Sequence, residues 1–541
     1  MSTALEAASL IMIPTSYSDG LLASVKPNDG AGDFTFTRGS NISATRINAD
    51  GNIEKGYENL LTYSNDFSQW TKSGITATSG QSGYDGSSDA WIITKSGGAF
   101  DQILRNVSSS GVNTISFYAK AGTFTSVYFR GQASSNIPDV KFNLSDGSLT
   151  TSNNVISASS DDIGSGWYRL KMTFSNTITN VTIYPDFGQT TAGTIYIQDA
   201  MINQGLVSYP YVETTTAPVA AGILEDTPRI DFPGGNQSLL LEPSRTNLVP
   251  YSEYFSSWQP VGSPIITENT TETLSPEGRY NATKIVGDGN NGIYKATLST
   301  AGGNNVKSIY IKGINGGETC ALRDPNQSNV VTTCNITTEW QRFECVDNQT
   351  SNMGIWLDNV PASGIYIWGA QLEQDAAYPT SYIPTYGVSQ TRLGDVLGNS
   401  NNISGLFNDN KGTLYLETDD TIFKGEINNY NFFGLTESSS GSYFRFRGSN
   451  STILAQSGGF GSTISFNPNG ATFTKYLYKW DGTNIKLFID GVERGSVSQT
   501  ATFNPDLFRI GFNFGFVSNT KQLLVFPTAL SDDECITLTT I

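Results

Sequence analysis

One twelve-residue string occurs twice in this chain. Residues 59–70 read NLLTYSNDFSQW and residues 247–258 read NLVPYSEYFSSW, with seven identities at an offset of 188. The correspondence continues downstream with small indels. DGSSDAWII (85–93) aligns with EGRYNATKI (277–285), and SFYAK (116–120) with SIYIK (308–312). IYIQDAMINQ (195–204) aligns with IYIWGAQLEQ (365–374). A duplication on this scale means that the first 390 or so residues are built from two copies of one module. The identical positions are mostly apolar or aromatic, so the repeat marks where each copy enters its core rather than a twin binding site.

The texture of the repeat is β. Glycine contributes 55 of 541 residues, aromatics 11% and charged residues only 15%. That mixture suits many short strands with Tyr, Phe and Thr in them, joined by tight turns. The chain is too long for one core, so several domains are expected.

Composition also excludes function classes. The formal net charge is −17, from 49 acidic and 32 basic residues. Phosphate recognition needs clustered Lys and Arg, so nucleic acid is not an expected partner. Histidine is absent, which removes His-activated nucleophiles and His-ligated metals. The cysteines (Cys320, Cys334, Cys345, Cys535) form no CxxC pair. They read as free buried thiols, with Cys320 and Cys345 as the pair that could neighbour each other on adjacent strands. The first residues carry Glu6 and no basic start, unlike a secretory signal. No apolar run approaches the ~18 residues of a membrane span, so no membrane insertion is expected.

A walk along the chain predicts five units. Residues 1–58 form an N-terminal attachment segment, with alternation at Phe34 and Phe36 and a hairpin signal at Asp50-Gly51. Module one covers 59–215, with strands at 113–120, 124–130, 167–174, 179–184 and 194–200. Residues 216–246 are a connector with a hairpin near Gly234-Gly235. Module two covers 247–387. Residues 388–541 differ in texture: Asp481-Gly482 and Asp490-Gly491 divide 475–496 into a three-strand meander, and Ser531 is placed to cap a final helical turn. Module one ends in YPYVETTT (209–216) where module two has YPTSYIPT, so its exit is expected to take a different path.

The meander KLFIDGVERGS followed by FPTALSDDE resembles the end of a concanavalin/laminin-G-like sandwich. NLLTYSNDFSQW, GWYRLKMTF, IYIWGAQLEQDAAYPTSYIPTYG and LLLEPSRTNL resemble the carbohydrate-binding-module-like jelly rolls of tailed-phage virion proteins. DFTFTRGSNISATRINADG, TPRIDF and above all SYIPTYGVSQTRLGD resemble the same group. The resemblance implies an all-β chain with tandem jelly-roll β-sandwiches and a C-terminal concanavalin-like β-sandwich. It also implies a head- or tail-fibre or decoration protein on the virion surface, made in the host cytoplasm. Its expected partners are other virion proteins (capsid or tail), a host-surface glycan and further copies of itself. A bacterial surface adhesin and a polysaccharide-degrading tailspike are the alternatives.

Candidate chemistry is sparse. The carboxylate alternation of a glycoside hydrolase is approached only at Glu417-Thr418-Asp419, with Ile422 where a third carboxylate is needed. No enzymatic activity is therefore expected. Asp161-Asp162, Asp288 and Asp532-Asp533-Glu534 are oxygen-rich stretches of the kind that can hold structural calcium, but they lack EF-hand spacing and no ligand set or cofactor is assigned. Trp70/Trp258 and Trp167/Trp340 recur at matching positions of the two modules, as core residues do. The aromatics without a counterpart are the better sugar platforms: Trp91, Trp356, and in the last domain Tyr443 and Trp480. Arg445 joins Tyr443 because it alternates with Phe444 and Phe446 and so faces away from them.

Overall fold

A computed structural model describes residues 2–540 apart from 41, 297–303, 324–331, 349–353, 377, 400–402, 420–429, 439–441, 450–451, 459–461, 467–473, 501 and 511–517. The chain is all-β, in three sandwiches. Module one packs a six-stranded sheet containing Val112–Ala121, Trp167–Ser175 and Gly193–Gln204 on a second containing Ser126–Gln132, Ile178–Pro185 and Gln102–Ser109. Module two repeats the arrangement with two five-stranded sheets, centred on Asn304–Gly313 with Ile365–Gln374 and on Gly354–Val360. Alternation places Ile115, Phe117, Leu170 and Met172 in the first core, and Ile309, Ile311, Ile365 and Ile367 in the second.

The repeated string is a clasp. Asn59 and Asn247 are fully buried. Asn59 Nδ2 donates to the carbonyls of Ala200 and Val212, and Asn247 Nδ2 to those of Ala370 and Ile383. Each Asn Oδ1 accepts the N–H two residues on, at 3.1 Å. Trp70 and Trp258 are 2% and 3% exposed, and their indole N–H groups donate to Tyr63 O and Tyr251 O. Both copies also share a β-bulge opposite their central strand, with positive φ at Asp199 and Gly369.

The module exits follow one path, contrary to the expectation from YPYVETTT. Ser64 Oγ lies 2.6 Å from Tyr211 OH, as Ser252 Oγ does from Tyr382 OH. Thr214 and Thr385 both donate their hydroxyls into the opening loop, to Leu61 O and Val249 O. A Tyr-x-x-Thr spacing survives in both tails and supplies the same two hydrogen bonds.

The terminal sandwich is assembled from distant parts of the chain. Its eight-stranded sheet includes Leu10–Met12 against Ser518–Phe526, and the connector hairpin Arg229–Asp231 with Ser238–Leu241 on the same strand. Its nine-stranded sheet includes Phe34–Thr37 against Val396–Asn399. Leu10, Met12, Phe34, Phe36, Ile230 and Leu239 share one core with Leu414, Tyr476 and Leu523. Residues 1–58 and 216–246 therefore do not stand apart as an attachment segment and a linker. They complete the last sandwich by covering edges that 388–541 alone would leave open.

Ionic side chains lock this assembly. Arg38, Arg229, Arg392, Glu242 and Asp395 are all at most 1% exposed. Arg229 and Arg392 approach Glu242 at 2.7 and 2.6 Å, Arg38 lies 3.2 Å from Asp395, and Arg229 also pairs with Asp395. These residues come from DFTFTRGS, TPRIDF, LLLEPSRTNL and SQTRLGD, the strings that carry the family resemblance. The strings meet in a single buried network to which SQTRLGD contributes two charges and each of the others one, and which is stable only when every member is paired.

Two short helices, Ser2–Ala7 and Asp532–Thr539, bracket the chain, and Ser531 with Glu534 forms a capping box on the second. The four cysteines are free and buried. The cross-strand neighbour of Cys320 is Cys334, not Cys345, which lies in the other sheet. Among the described residues no helix is long and apolar enough to cross a membrane.

Candidate functional site

Three of the five predicted site residues can be placed by their side chains. Trp480 is fully buried against Phe407 and Phe503 in the terminal core. It is a packing residue and cannot meet a ligand, because the cross-strand partner of Gly412 faces inward there. Trp91 is half-buried, edge-on to Phe67, with its indole N–H donated to Asn65 O at 2.8 Å. It ties the opening loop to the sheet and presents no free polar edge. Tyr443 and Arg445 lie in strand Ser442–Ser449, but their side chains are outside the described residues. Trp340, expected to match Trp167 in the core, is only half-buried and donates to Leu274 O.

Trp356 is placed differently. It sits half-buried on Gly354–Val360, where Ile355 and Leu357 face the core and Trp356 therefore faces outward. Tyr294 and Arg323 flank it directly on the neighbouring strands. The Arg323 guanidinium lies 5.7 Å from the Trp356 ring centre and pairs with Asp358 at 3.0 Å. Tyr, Trp and Arg thus form one row across the sheet.

Register identifies the same row in module one. Ile183 pairs with Ile103 and Phe129 as Leu357 pairs with Ile293 and Leu322. One residue outward, Thr182 lies between Leu104 and Arg130, so Arg130 is the counterpart of Arg323. Arg130 lies 5.4 Å from the ring of Tyr184, one row along. Tyr128 stacks on Phe187 at 4.5 Å and 22°, and Phe187 contacts Tyr184 and Phe100 at 5.0 and 5.5 Å. Phe100 is 67% exposed. Burial first, and the neighbouring Asp139 carboxylate next, push Tyr128 up to about 12, so its hydroxyl remains a donor at neutral pH.

Phe100, Tyr128 and Phe187 belong to no repeat or motif that marks them in the sequence. Two of them sit in turns, GGAF (97–100) and PDFG (185–188), where no core demands an aromatic side chain. That mismatch between residue type and turn was the available signal.

Such surfaces suit sugars. The C–H face of a pyranose packs on an electron-rich ring, and an adjacent guanidinium donates to ring substituents in a fixed fork. The acidic stretches do not fit a calcium site. Asp161 lies on strand Ser157–Gly164 and pairs with Lys171 at 2.6 Å. Asp288 Oδ1 accepts the Asn290 N–H. Asp532 is held by Lys479 and Lys486, and Glu534 caps the helix. Among the described residues no group of three Asp, Glu or Cys side chains is arranged for a metal ion.

No protein-family model and no curated protein matches the chain. Solved structures are similar in part. The CBM22-1-CBM22-2 tandem domain of Paenibacillus barcinonensis Xyn10C is 11% identical, covering 62% of this chain and 99% of that one, with a TM-score of 0.22. The tandem CBM51 modules of a Streptococcus pneumoniae family 98 glycoside hydrolase are 8% identical over 66% and 96%, with a TM-score of 0.18. The LG1-3 region of the laminin alpha2 chain is 10% identical over 80% and 96%, with a TM-score of 0.16. Superpositions this loose carry no argument about function.

Proposed function

We propose that this chain is a non-enzymatic, surface-displayed carbohydrate-binding protein whose two jelly-roll modules carry the sugar-binding faces. The supporting observation is the recurrence of an outward arginine beside aromatic rings on equivalent sheets, Arg130 over the buried Tyr184 ring whose cluster continues out to the exposed Phe100, and Arg323 beside the half-buried Trp356. Core packing does not require aromatic residues on an outer face, and singly exposed ones would not recur beside the same arginine. The strings from DFTFTRGS to SQTRLGD support a further assignment, to a fibre or decoration protein of a phage virion that engages host-surface glycans as a homo-oligomer.

A glycan array probed with the intact chain tests the binding role. Trp356→Ala and a Phe100→Ala/Phe187→Ala pair are expected to lose signal on the same saccharides. Full retention by both variants would remove the basis of the proposal, and release of reducing ends from a bound glycan would contradict the non-enzymatic part. Mass spectrometry of purified particles tests the virion role, which fails if the chain is absent from them.

A further inference from the structure

Module one meets module two across a cleft of about 610 Å³ that the outer faces described above do not include. Its floor is the solvent side of the other sheet of module one. Met172 and Leu170 point into the core, so Lys171 and Arg169 point out, opposite Ser159 and Asp161 on the neighbouring strand. Its wall is the segment of module two that carries Asn269, Arg279 and Tyr280. Asn269 bridges the gap, donating to Ser157 Oγ and Leu206 O at 3.0 and 2.8 Å.

The charge of this cleft runs against that of the chain. Arg169, Lys171 and Arg279 line it, and Asp161 is the one carboxylate among its lining residues. Asp161 is engaged by Lys171, which leaves two guanidinium groups. Both converge on Tyr209: Arg169 Nη2 donates to its carbonyl at 2.5 Å, and Arg279 lies 5.0 Å from its ring centre. The acid nearest Arg279 is Glu277 at 3.5 Å, and its other oxygen is held by Lys55 at 2.6 Å. Among the described residues, Arg169 Nε and Asn269 Oδ1 are enclosed without a hydrogen-bond partner. An enclosed donor and an enclosed acceptor without partners, beside a positive cleft, point to a ligand that offers both an anion and a hydroxyl. Tyr280, 52% exposed, adds a ring face on the same wall.

We propose that the inter-module cleft binds an acidic saccharide, its carboxylate taken by Arg169 and Arg279 and its hydroxyls by Asn269 and the floor. The repulsion of a polyanion by a chain of net charge −17 is overcome locally, so this site selects acidic sugars while the outer faces require no charge on theirs. Its location at a junction also makes binding depend on both modules being in place.

The test is calorimetric titration of the intact chain with oligogalacturonate, oligoglucuronate and α2,8-linked sialic acid oligomers, each beside its carboxyl-reduced neutral counterpart. At least one acid is expected to bind, with its neutral form roughly tenfold weaker or worse, as loss of a charge-assisted hydrogen bond demands. Arg279→Gln and Lys171→Gln, both partly exposed and separate from the core, are expected to weaken binding several-fold while the melting temperature holds. Trp356→Ala is expected to leave this binding intact, which separates the cleft from the outer faces. Absence of binding by all three acids, equal binding of acid and neutral forms, or wild-type affinity in both cleft variants would overturn the proposal.

Discussion

Lys55 Nζ lies 2.6 Å from Glu253 Oε1, and the two side chains are 0% and 3% exposed. Lys55 closes the hairpin Thr45–Ile47/Ile53–Lys55 near the N-terminus, while Glu253 belongs to the second copy of the repeated string. The first copy has Asn65 at that position, where it receives Trp91. Glu277 approaches the same ammonium at 2.6 Å, Tyr382 donates to Glu253 at 2.8 Å, and the Trp368 ring centre lies 4.9 Å away. Glu253 and Glu277 together thus join the second copy to the N-terminal hairpin.

Lys55→Met leaves two carboxylates buried without their cation. It is expected to cost about 3–5 kcal/mol, read as a lower urea midpoint by tryptophan fluorescence. The Lys55→Met/Glu253→Gln/Glu277→Gln triple variant removes the uncompensated charge and should recover most of that loss. A triple variant as unstable as the single one would mean that packing, not charge, holds the joint.

Asp199 sets a pH dependence near neutrality. Burial is the main cause that lifts it to about 7 from 3.8, against a hydrogen bond from Tyr84 at 2.9 Å. A carboxyl whose folded value is raised contributes stability below 3.8 that drains as the pH climbs through 7. Asp199→Asn should therefore melt higher than the parent near about pH 8, and the gap should close toward about pH 4. Parallel melting curves for the two proteins across that range would contradict the assignment.

Glu242 acts at the acid end with the opposite sign. Burial alone would raise it, but Arg392 and Arg229 outweigh burial and hold it at about 2, below 4.5. Its contribution is complete above 4.5 and is lost as the pH falls toward 2. Glu242→Gln is expected to cost about 3–5 kcal/mol at neutral pH by leaving Arg392 without its carboxylate and Arg229 with Asp395 alone. It should also flatten the acid limb of a melting-temperature profile recorded by circular dichroism.

Removal of residues 1–37 strips Leu10–Met12 and Phe34–Thr37 from the terminal sheets. The truncated chain, and a 388–541 fragment, are expected to self-associate through the exposed strand edges and the apolar face that Phe34 and Phe36 cover. Light scattering after size exclusion reads the outcome. A monodisperse, folded 388–541 fragment would show the added strands to be dispensable.

Two tryptophans separate stability from binding. Trp480→Ala should cost about 3–5 kcal/mol, as deletion of a buried indole does, and change glycan binding only in proportion to the folded fraction. Trp356→Ala should shift stability by less than about 1 kcal/mol and remove binding on the outer face of module two. Thermal melts run beside the glycan array distinguish them.

The local rules of the chain were legible. Alternation located Phe34 and Phe36, Asp481-Gly482 and Asp490-Gly491 marked the meander turns, and Ser531 capped its helix, because each depends only on neighbours in sequence. Trp480 was misread as a ligand platform. Its lack of a counterpart in the repeats said nothing about burial in a domain outside them. The aromatic face of module one escapes the sequence because its rings converge from two strands and two turns.

The sequence by itself determined the β class, the two copies and the residues that open each one, since a period of two and a repeated string are one-dimensional facts. Only the tertiary structure decided that the first 37 residues and the connector complete the last sandwich, and that four scattered strings supply one ion network. It alone set Lys55 against Glu253 and opened a positive cleft in an acidic chain. Strand pairing and charge burial join residues hundreds of positions apart, and no local pattern records which edge a strand will cover or which charge it will meet.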